Sequence, residues 1–317
     1  MEAPLSLGFD LGGTQVRAAL VRNGQVLKRA ALRTDVAGGP EAVMRQIGAL
    51  AAEVSQDLTF GQPLAAGIAT PGPLDTVAGI VDHIPTLPGW DQFPLRARLS
   101  DLFRLPAIVE NDGIAAAYGE WKYGAGQGVA NMVFATISTG IGGGVITDGR
   151  LLHGRRGMAA HIGHFRLAFD GPVCSCGGIG CFEAFAAGTA LGKRAKAVAQ
   201  SEPASWLGTH ARGEPVEARH VVDGARAGDA PCLALLDQEA RYLGHGFTSL
   251  AHIFSPERIV MGGGVSQAFE LLEKTIHATI RREAMAPFKA TPVVVAQLGD
   301  NAGLVGVATL ATAALAP

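Results

Sequence analysis

Two widely separated parts of the chain share one pattern: a β-rich strand, a glycine turn and a second β-rich strand. Phe9–Thr14 reads Phe-Asp-Leu-Gly-Gly-Thr, and Ile137–Gly142 reads Ile-Ser-Thr-Gly-Ile-Gly. The copies lie too far apart for a solenoid repeat, so the pattern favours two related lobes. We expect these lobes to comprise residues 1–125 and 126–317, with the last helix able to return to the first lobe.

Predicted strands and helices alternate along the first half of the chain, and the second half is richer in helices; the arrangement is typical of an α/β protein. The first half contains predicted strands at Leu5–Asp10, Val16–Val21, Gln25–Leu32, Leu64–Ala69 and Ala107–Glu110, and helices at Pro40–Ser55 and Ala115–Tyr123. The second half contains predicted strands at Met132–Ser138, Val145–Thr147, Arg258–Met261 and Pro292–Ala296, and helices at Glu183–Ala199, Ala230–Phe254, Gln267–Glu283 and Ala302–Ala314. Asn23-Gly24, between two of these strands, predicts a hairpin.

The composition is that of a well-packed globular protein rather than a disordered one. Hydrophobic residues make up 48% of the 317 residues, charged residues 17%, and the formal net charge is −2. Without a basic stretch, the chain has little to attract nucleic acid or an acidic membrane surface. It shows neither an apolar run of membrane-spanning length nor a signal-peptide pattern, so we expect a cytoplasmic protein.

The first glycine turn has the composition of a phosphate-binding loop. Gly12 and Gly13 allow backbone N–H groups to approach phosphate oxygens, and Thr14 adds a hydroxyl donor. Asp10, at the end of the preceding strand, could hold Mg²⁺ through water, because hard cations favour carboxylate oxygen. An ordinary glycine hairpin has the same local pattern, and for this turn alone that alternative stays open.

Two further glycine clusters strengthen the nucleotide interpretation. Thr139 and Gly140 begin the second turn, and two matching phosphate loops are a less frequent coincidence than one. Gly262, Gly263 and Gly264 end a predicted strand and open a helix, so they leave space for a flat nucleotide beside a helix N-terminus. Neither a Walker loop nor a dinucleotide-binding G-x-G-x-x-G pattern is present.

Three of the four cysteines are clustered, and a histidine precedes them. His164, Cys174, Cys176 and Cys181 provide one imidazole and three thiolates, which is a complete set of ligands for a tetrahedral structural zinc site. The glycines before Cys181 allow the backbone to turn back towards the metal. A disulfide is the alternative, but it would leave one of the three cysteines unpaired. We therefore predict zinc.

The order of these motifs resembles that of the ROK family of repressors, open reading frames and kinases, most of all its bacterial glucokinases. The resemblance spans essentially the whole chain and is carried by Asp10–Thr14, Thr70–Pro73, Glu110–Asp112, Ser138–Gly144, Ile162–His164, Cys174–Cys176, Gly180–Glu183 and Gly262–Gly264. It implies a two-lobed actin-like ATPase and sugar kinase (ribonuclease H-like) fold with a zinc-binding insertion. It also implies ATP and Mg²⁺ as cofactors, a homodimer, and transfer of phosphate from ATP to the 6-hydroxyl of glucose.

The resemblance also implies roles for individual residues. Asp112 matches the catalytic base and, with Asn111, a sugar-binding pair, although an Asp before a helix is otherwise an N-cap. Glu183 matches a sugar-binding carboxylate, and His164 matches a zinc ligand whose second ring nitrogen reaches the sugar. Gly72 lies in a turn that is expected to border the substrate. Zinc then anchors the sugar pocket rather than taking part in the reaction.

One departure from the family pattern concerns the substrate. His161 stands where the family usually has a sugar-binding glutamate, three residues before the zinc histidine. Either the imidazole replaces the carboxylate as a sugar contact, or the substrate preference and affinity are altered, because a carboxylate only accepts hydrogen bonds while neutral imidazole also donates one. A role for His161 as an alternative zinc ligand is the third interpretation.

Other functions within the family remain alternatives to a glucokinase. An N-acetylmannosamine or N-acetylglucosamine kinase is the nearest, because the same residues bind those sugars. A sugar-binding regulator without a DNA-binding domain is more distant. The repressors of the family carry a helix-turn-helix module before the first glycine turn, and only nine residues precede Asp10 here, so we do not expect a repressor.

Overall fold

The computed structural model describes residues 3–84, 87–210 and 215–315. Within these residues the strands are β1 (Leu5–Leu11), β2 (Gln15–Arg22), β3 (Gln25–Arg33), β4 (Ala65–Thr70), β5 (Leu74–Asp75), β6 (Ile80–Val81), β7 (Ala107–Asn111), β8 (Met132–Ile137), β9 (Ile141–Thr147), β10 (Arg150–Leu151), β11 (Arg258–Gly262) and β12 (Val293–Val295). The helices are α1 (Gly39–Val54), α2 (Leu95–Phe103), α3 (Asp112–Tyr123), α4 (Phe182–Ala186), α5 (Gly188–Ser201), α6 (Trp206–His210), α7 (Ala218–Arg226), α8 (Ala230–Phe254), α9 (Phe269–Glu283) and α10 (Ala302–Ala313). Across the described ranges, none of these helices is long and apolar enough to cross a membrane.

The chain divides into two compact units. Unit 1 consists of the described residues of 1–128, 144–160 and 297–317, and unit 2 consists of those of 129–143 and 161–296. The sequence predicts a division at a single point, into 1–125 and 126–317. The structure differs from this, because the segment around β10 and helix α10 also belong to unit 1.

Unit 1 is built on one five-stranded sheet with the strand order β3-β2-β1-β4-β7. The first three strands form an antiparallel meander, and the hairpin between β2 and β3 turns at Asn23 and Gly24, both of which have positive φ. β4 pairs in parallel with β1, and β7 pairs in parallel with β4. The three parallel strands therefore end at the same edge of the sheet.

Helices α1 and α10 pack against the sheet of unit 1. The residues of α1 that show helical apolar spacing in the sequence, Val43, Ile47, Leu50 and Val54, are all buried in the main core of the unit. Helix α10 approaches the strands so closely that a Cβ atom on Gly8 would lie 2.4 Å from the carbonyl oxygen of Leu304. Only glycine allows this contact between the helix backbone and β1.

Unit 2 contains a parallel arrangement of β8, β11 and β12, and the start of β9 flanks β8. Its longest helix, α8, begins after the N-cap Asp229, whose carboxylate accepts a hydrogen bond from the N–H of Cys232 at 3.0 Å. Cys232 itself is fully buried, as expected for a small apolar residue on this helix. The described ends of α8 coincide with those predicted from the sequence.

The helix predicted over Glu183–Ala199 is interrupted in the structure. Helix α4 ends at Ala186, Ala187 is extended with a ψ of 156°, and α5 starts at Gly188. The break turns the N–H of Gly188 towards the carbonyl oxygen of Ser138, to which it donates a hydrogen bond at 2.7 Å. Contact with the glycine turn of unit 2 therefore overrides the helical preference of the alanine-rich sequence.

In unit 1 a buried carboxylate of α3 connects this helix with two backbone segments, one directly after α3 and one before α10. Glu120 is fully buried and accepts hydrogen bonds from the backbone N–H groups of Ala125 at 2.8 Å, Gln297 at 3.0 Å and Leu298 at 2.7 Å. It therefore holds both the turn that follows α3 and the segment that precedes α10. A buried carboxylate that satisfies several amide donors is a strong structural anchor.

We expect the substitution Glu120→Ala to reduce the free energy of unfolding by about 3 kcal/mol, because buried backbone donors would lose their acceptor. Glu120→Gln, which keeps one acceptor oxygen, should cost less. Urea unfolding followed by circular dichroism measures both changes. Glu53→Ala, on an exposed position of α1, is the control and should change the stability by less than about 0.5 kcal/mol. Equal effects at the two positions would contradict the anchoring role.

Candidate active site

The carboxyl ends of three parallel strands bring the predicted residues of unit 1 to one edge of its sheet. Asp10 of β1 pairs with Ala69 of β4, and Thr70 pairs with Asn111 at the end of β7. Gly72 follows β4, and a Cβ atom placed on it would lie 3.9 Å from the Nδ2 atom of Asn111. This edge is where ligands bind in open α/β sheets.

The first glycine turn lines a cavity beside this edge. The cavity has a volume of about 560 Å³, and the residues that line it are Asp10, Gly12, Gly13, Thr14, Gln15, Arg17 and Arg33. All four residues predicted to form the first phosphate loop therefore lie together. Thr34 closes the turn: its hydroxyl donates to the carbonyl oxygen of Gly12 at 2.7 Å, and its N–H donates to that of Thr14 at 3.0 Å.

Arg17 is a member of this site that the sequence analysis missed. Its guanidinium forms an ion pair with Asp10 and also donates to the carbonyl oxygen of Asp300 at 3.2 Å. Burial raises the pKa of Asp10, while the charge and hydrogen bond of Arg17 act in the opposite direction. Strand pairing carries the only signal that could have found Arg17, because it faces Asp10 across the β1–β2 ladder.

Asn111 and Asp112 lie at the junction of β7 and α3. Asn111 is the N-cap: its Oδ1 accepts from the N–H groups of Gly113 at 3.0 Å and Ile114 at 3.3 Å. The alternative interpretation of Asp112 as the N-cap is therefore wrong. Asp112 occupies the first helical position, and its carboxylate accepts from the N–H of Gly113 at 2.8 Å.

The electrostatic surroundings of Asp112 raise the pKa of its carboxyl and so make the carboxylate more basic. Desolvation by the surrounding protein raises the pKa of this carboxyl, and the negative charge of Asp10 raises it further. The side chain nevertheless retains exposed surface, so it remains accessible to a ligand. A carboxyl group with a raised pKa that a ligand can reach has the properties of a general base.

The side chain of Glu110 stabilises the junction of β7 and α3. It is buried, and its Oε1 accepts from the N–H of Asn111 at 2.8 Å, while its Oε2 lies 3.0 Å from the Nε2 of His153. The hydrogen bond to Glu110 raises the pKa of His153. His153 was not predicted as a site residue, and its sequence neighbours give no signal for a role.

In unit 2 the second glycine turn is held by hydrogen bonds from three directions. The N–H of Ser138 donates to the carbonyl oxygen of Gly140 at 2.9 Å and closes the turn. The hydroxyl of Thr189 donates to the carbonyl oxygen of Thr139 at 2.7 Å. The Oε2 of Glu183 accepts from the N–H of Ile141 at 2.9 Å. Thr139 and Gly140 are thus fixed in a defined turn.

The third glycine cluster follows β11, which is parallel to β8. Gly262 ends β11, Gly263 has a φ of +84°, and Gly264 begins a short 3₁₀ turn that leads into α9. A Cβ atom on Gly263 would lie 2.4 Å from the carbonyl oxygen of Ile137, at the end of β8. The second and third glycine clusters therefore lie together at the carboxyl edge of unit 2.

The predicted metal ligands form one cluster. One ligand atom each from His164, Cys174, Cys176 and Cys181 lies within 4.8 Å of all the others. The Sγ atoms of Cys176 and Cys181 are 3.8 Å apart, and the Sγ of Cys174 lies 3.6 Å from the Nδ1 of His164. Tetrahedral zinc with bonds of about 2.3 Å to sulfur and about 2.0 Å to nitrogen requires separations of about 3.8 and 3.6 Å. The donor set and its dimensions fit such an ion.

The two histidines near the cluster differ in position. His164 turns its Nδ1 towards Cys174, so its Nε2 is the ring nitrogen on the opposite side. The ring centre of His161 is 6.4 Å from that of His164, and His161 is not part of the four-ligand cluster. Desolvation, followed by the proximity of His164, lowers the pKa of His161 and favours its neutral form.

The pair of His153 and Glu110 predicts a pH-dependent contribution to stability. A histidine whose pKa is raised by folding stabilises the native state below its unfolded pKa of about 6.5, and this stabilisation is lost as the pH rises through the higher native value. The destabilisation caused by His153→Gln should therefore be larger at pH 6 than at pH 9 in urea unfolding. In a Glu110→Gln background this difference should vanish, and its persistence would contradict the pairing.

The chain is similar to proteins of one known family over nearly its whole length. Residues 6–314 match the model of the ROK family. A glucokinase of Thermotoga maritima is 37% identical over 308 residues, which cover 96% of both chains. An N-acetylmannosamine kinase of Yersinia pseudotuberculosis is 32% identical over 310 residues, which cover 98% of this chain and 99% of the relative.

A solved structure gives the same result. The ROK family glucokinase from Streptomyces griseus, determined in complex with glucose and AMPPNP, has a TM-score of 0.84 at 36% identity, and the match covers 97% of this chain and 99% of that one. The prediction of an α/β actin-like ATPase and sugar kinase fold is confirmed. The protein belongs to the ROK family.

Proposed function

We propose that the protein is an ATP-dependent hexose kinase that phosphorylates the 6-hydroxyl of glucose. The observation that carries the proposal lies in unit 1, where Asp112, a carboxyl with a raised pKa, shares a sheet edge with Asp10 and the first glycine turn. A base and a phosphate-binding turn are the two parts that phosphoryl transfer to an alcohol requires. The names of the glucokinase relatives support glucose as the acceptor.

In the proposed mechanism Asp112 accepts the proton of the sugar hydroxyl as its oxygen attacks the γ-phosphorus of ATP. The bond to the β-phosphate oxygen breaks, and ADP leaves. The raised pKa of Asp112 brings its basicity closer to that required for proton transfer near neutral pH. Asn111, whose Oδ1 caps α3, turns its amide Nδ2 to the sugar as a donor.

The three glycine clusters are proposed to bind the nucleotide. Gly12, Gly13 and Thr14 of unit 1, and Thr139 and Gly140 of unit 2, present backbone N–H and hydroxyl donors to phosphate. The glycines 262–264 offer a surface without side chains to the rest of the nucleotide.

A magnesium ion bound with the phosphates would neutralise their charge, and Asp10 is the carboxylate suited to hold it through water. Arg17 already pairs with Oδ2 of Asp10, which would leave the second carboxylate oxygen for a hydrated magnesium ion. When no ligand is bound, the positive charge of Arg17 also balances the negative charge of Asp10, which lowers the free-energy cost of burying that carboxylate.

The Cys₃His cluster is proposed to hold a structural zinc ion, which would fix the orientation of His164. Coordination through Nδ1, which faces Cys174, would leave the Nε2 of His164 as a hydrogen-bonding group for the sugar. His161 and Glu183 of unit 2, and Gly72 of unit 1, complete the proposed sugar-binding set. The four-ligand cluster leaves His161 available as a substrate contact rather than a ligand.

An N-acetylmannosamine kinase is the second candidate, and His161 favours it. A neutral imidazole can donate a hydrogen bond to the carbonyl oxygen of an acetamido group. The glutamate that usually occupies this position accepts hydrogen bonds but cannot donate them. Relatives with this name also match the chain over nearly its full length. The two candidates share the fold, the base and the nucleotide site, and they differ only in the sugar.

Asp112→Asn should lower kcat by roughly a hundredfold or more, because general-base catalysis contributes about that factor. The dissociation constant for the sugar should change little, since the amide retains the size and one acceptor of the carboxylate. A coupled assay of ADP release gives kcat, and calorimetry gives the sugar affinity. Asp101→Asn, on the exposed face of α2, is the control and should leave both values unchanged. Substantial residual turnover would rule out Asp112 as the base.

His161→Glu should shift the sugar preference towards glucose if His161 selects the substrate. The measurement compares kcat/KM for glucose, mannose, fructose, N-acetylglucosamine and N-acetylmannosamine in the wild type and the variant. Loss of one donated hydrogen bond predicts a decrease of roughly tenfold for N-acetylmannosamine relative to glucose. An unchanged ratio would show that His161 has no part in selection. No activity of the wild type with any of the five sugars would contradict the proposed function.

A further inference from the structure

In unit 2 the carboxylate of Glu183 connects the metal-binding segment with the second glycine turn. Its Oε1 accepts from the hydroxyl of Ser175 at 2.6 Å, and Ser175 lies between the ligands Cys174 and Cys176. Its Oε2 accepts from the N–H of Ile141, inside the glycine turn, at 2.9 Å. One side chain therefore joins two functional segments that lie more than thirty residues apart in the sequence.

The contacts around this carboxylate leave little room for movement. A Cβ atom on Gly140 would lie 2.5 Å from the Oε2 of Glu183, and one on Gly163 would lie 2.1 Å from the carbonyl oxygen of Ile141. The glycine turn is thus in direct contact both with Glu183 and with the residue that precedes the ligand His164. A displacement of the metal-binding segment would therefore also displace the glycine turn, because packed interfaces are not freely deformable.

The segment that carries the ligands is held mainly by short-range backbone contacts, such as the hydrogen bond from the N–H of Gly180 to the carbonyl oxygen of Pro172 at 3.0 Å. Within it, the N–H of Cys174 donates to the carbonyl oxygen of Gly178 at 2.8 Å, and that of Gly177 donates to Cys174 at 3.0 Å. Cys176 is exposed, and Gly177 and Gly180 have positive φ. Short glycine-rich segments of this kind depend on metal coordination for a defined conformation. A bound metal would therefore fix the position of Ser175 opposite Glu183.

We propose that Glu183 is a positioning residue that couples metal binding by the Cys₃His cluster to the shape of the second glycine turn. Metal loading holds Ser175, Ser175 holds Glu183, and Glu183 holds the N–H of Ile141 in the orientation that shapes the turn at Thr139 and Gly140. The metal thereby raises the affinity for the nucleotide, in addition to orienting His164. This inference rests on the proposed function, in which that turn binds nucleotide phosphate.

The decisive variant is Ser175→Ala, which removes the hydroxyl donor at 2.6 Å from Oε1 of Glu183 and leaves all four metal ligands in place, including Cys174, whose Sγ lies 3.6 Å from the same oxygen. Calorimetric titration with AMPPNP measures nucleotide affinity, and atomic emission measures zinc content. The variant with full zinc should bind AMPPNP roughly tenfold more weakly than the wild type, as expected for the loss of a hydrogen bond to a charged group. Chelation of the metal from the wild type, or Cys176→Ser, should give a similar loss.

The two changes should not add, because they break the same connection. Chelation of Ser175→Ala should weaken AMPPNP binding by less than about twofold. Thr189→Val is the matched control: it removes a different side-chain hydrogen bond to the glycine turn, the one to the carbonyl oxygen of Thr139, and should keep the full tenfold response to chelation. Circular dichroism checks that each protein remains folded. If chelation unfolds the wild type, the AMPPNP affinity of the zinc-loaded Ser175→Ala protein is by itself the test of the inference.

Three results would overturn the inference: wild-type AMPPNP affinity in zinc-loaded Ser175→Ala, unchanged affinity after removal of metal from the folded wild type, or a full response to chelation in Ser175→Ala. Each of these requires that the zinc-loaded wild type bind AMPPNP. Absence of AMPPNP binding to that protein would instead contradict the proposed function itself, and with it the inference. The failure of the coupling and the failure of the function are therefore distinguishable.

Discussion

Parallel pairing of β1, β4 and β7 is the constraint on which unit 1 depends. Strand register places the end of β1 beside β4 and the end of β4 beside β7. Asp10, Gly72 and Asn111 therefore reach the same edge of the sheet although they are far apart in the sequence. Helix α10 fixes this sheet from one face through a backbone contact that only glycine permits at position 8. A slip of one residue in any strand would turn its side chains to the opposite face and dismantle the site.

Glutamates that accept hydrogen bonds from backbone N–H groups recur at the points where loops must be held. Glu110 supports Asn111, Glu120 joins the turn after α3 to the segment before α10, and Glu183 joins the metal-binding segment to the glycine turn. A charged acceptor binds an amide more strongly than a neutral one does, and the contact is directional. These side chains supply the rigidity that phosphoryl transfer needs, because that reaction depends mainly on positioning.

The sequence predicted most strands, the long helix α8 and the metal cluster, because each depends on a local signal: apolar periodicity or ligand spacing. It missed α2, α6 and α7, which are short, and it missed the break at Ala187, where a contact with Ser138 outweighs local propensity. Arg17, Thr34 and His153 were also missed as members of the site. Their roles arise from strand pairing and long-range contacts, which no local pattern contains.

The backbone that leads to His161 is unusually constrained. Between residues 154 and 160, Gly154, Arg156, Gly157 and Ala160 have positive φ, and an alanine in this conformation costs about 1 kcal/mol. Such strain persists only where surrounding contacts determine it, and here the side chain of Arg156 pairs with Asp75 at 2.9 Å. The segment is therefore fixed independently of the side chain at position 161. We therefore expect an exchange of histidine and glutamate at position 161 to alter which hydrogen bonds a substrate meets while the direction of the backbone is kept, so that sugar preference can change within a shared kinase fold.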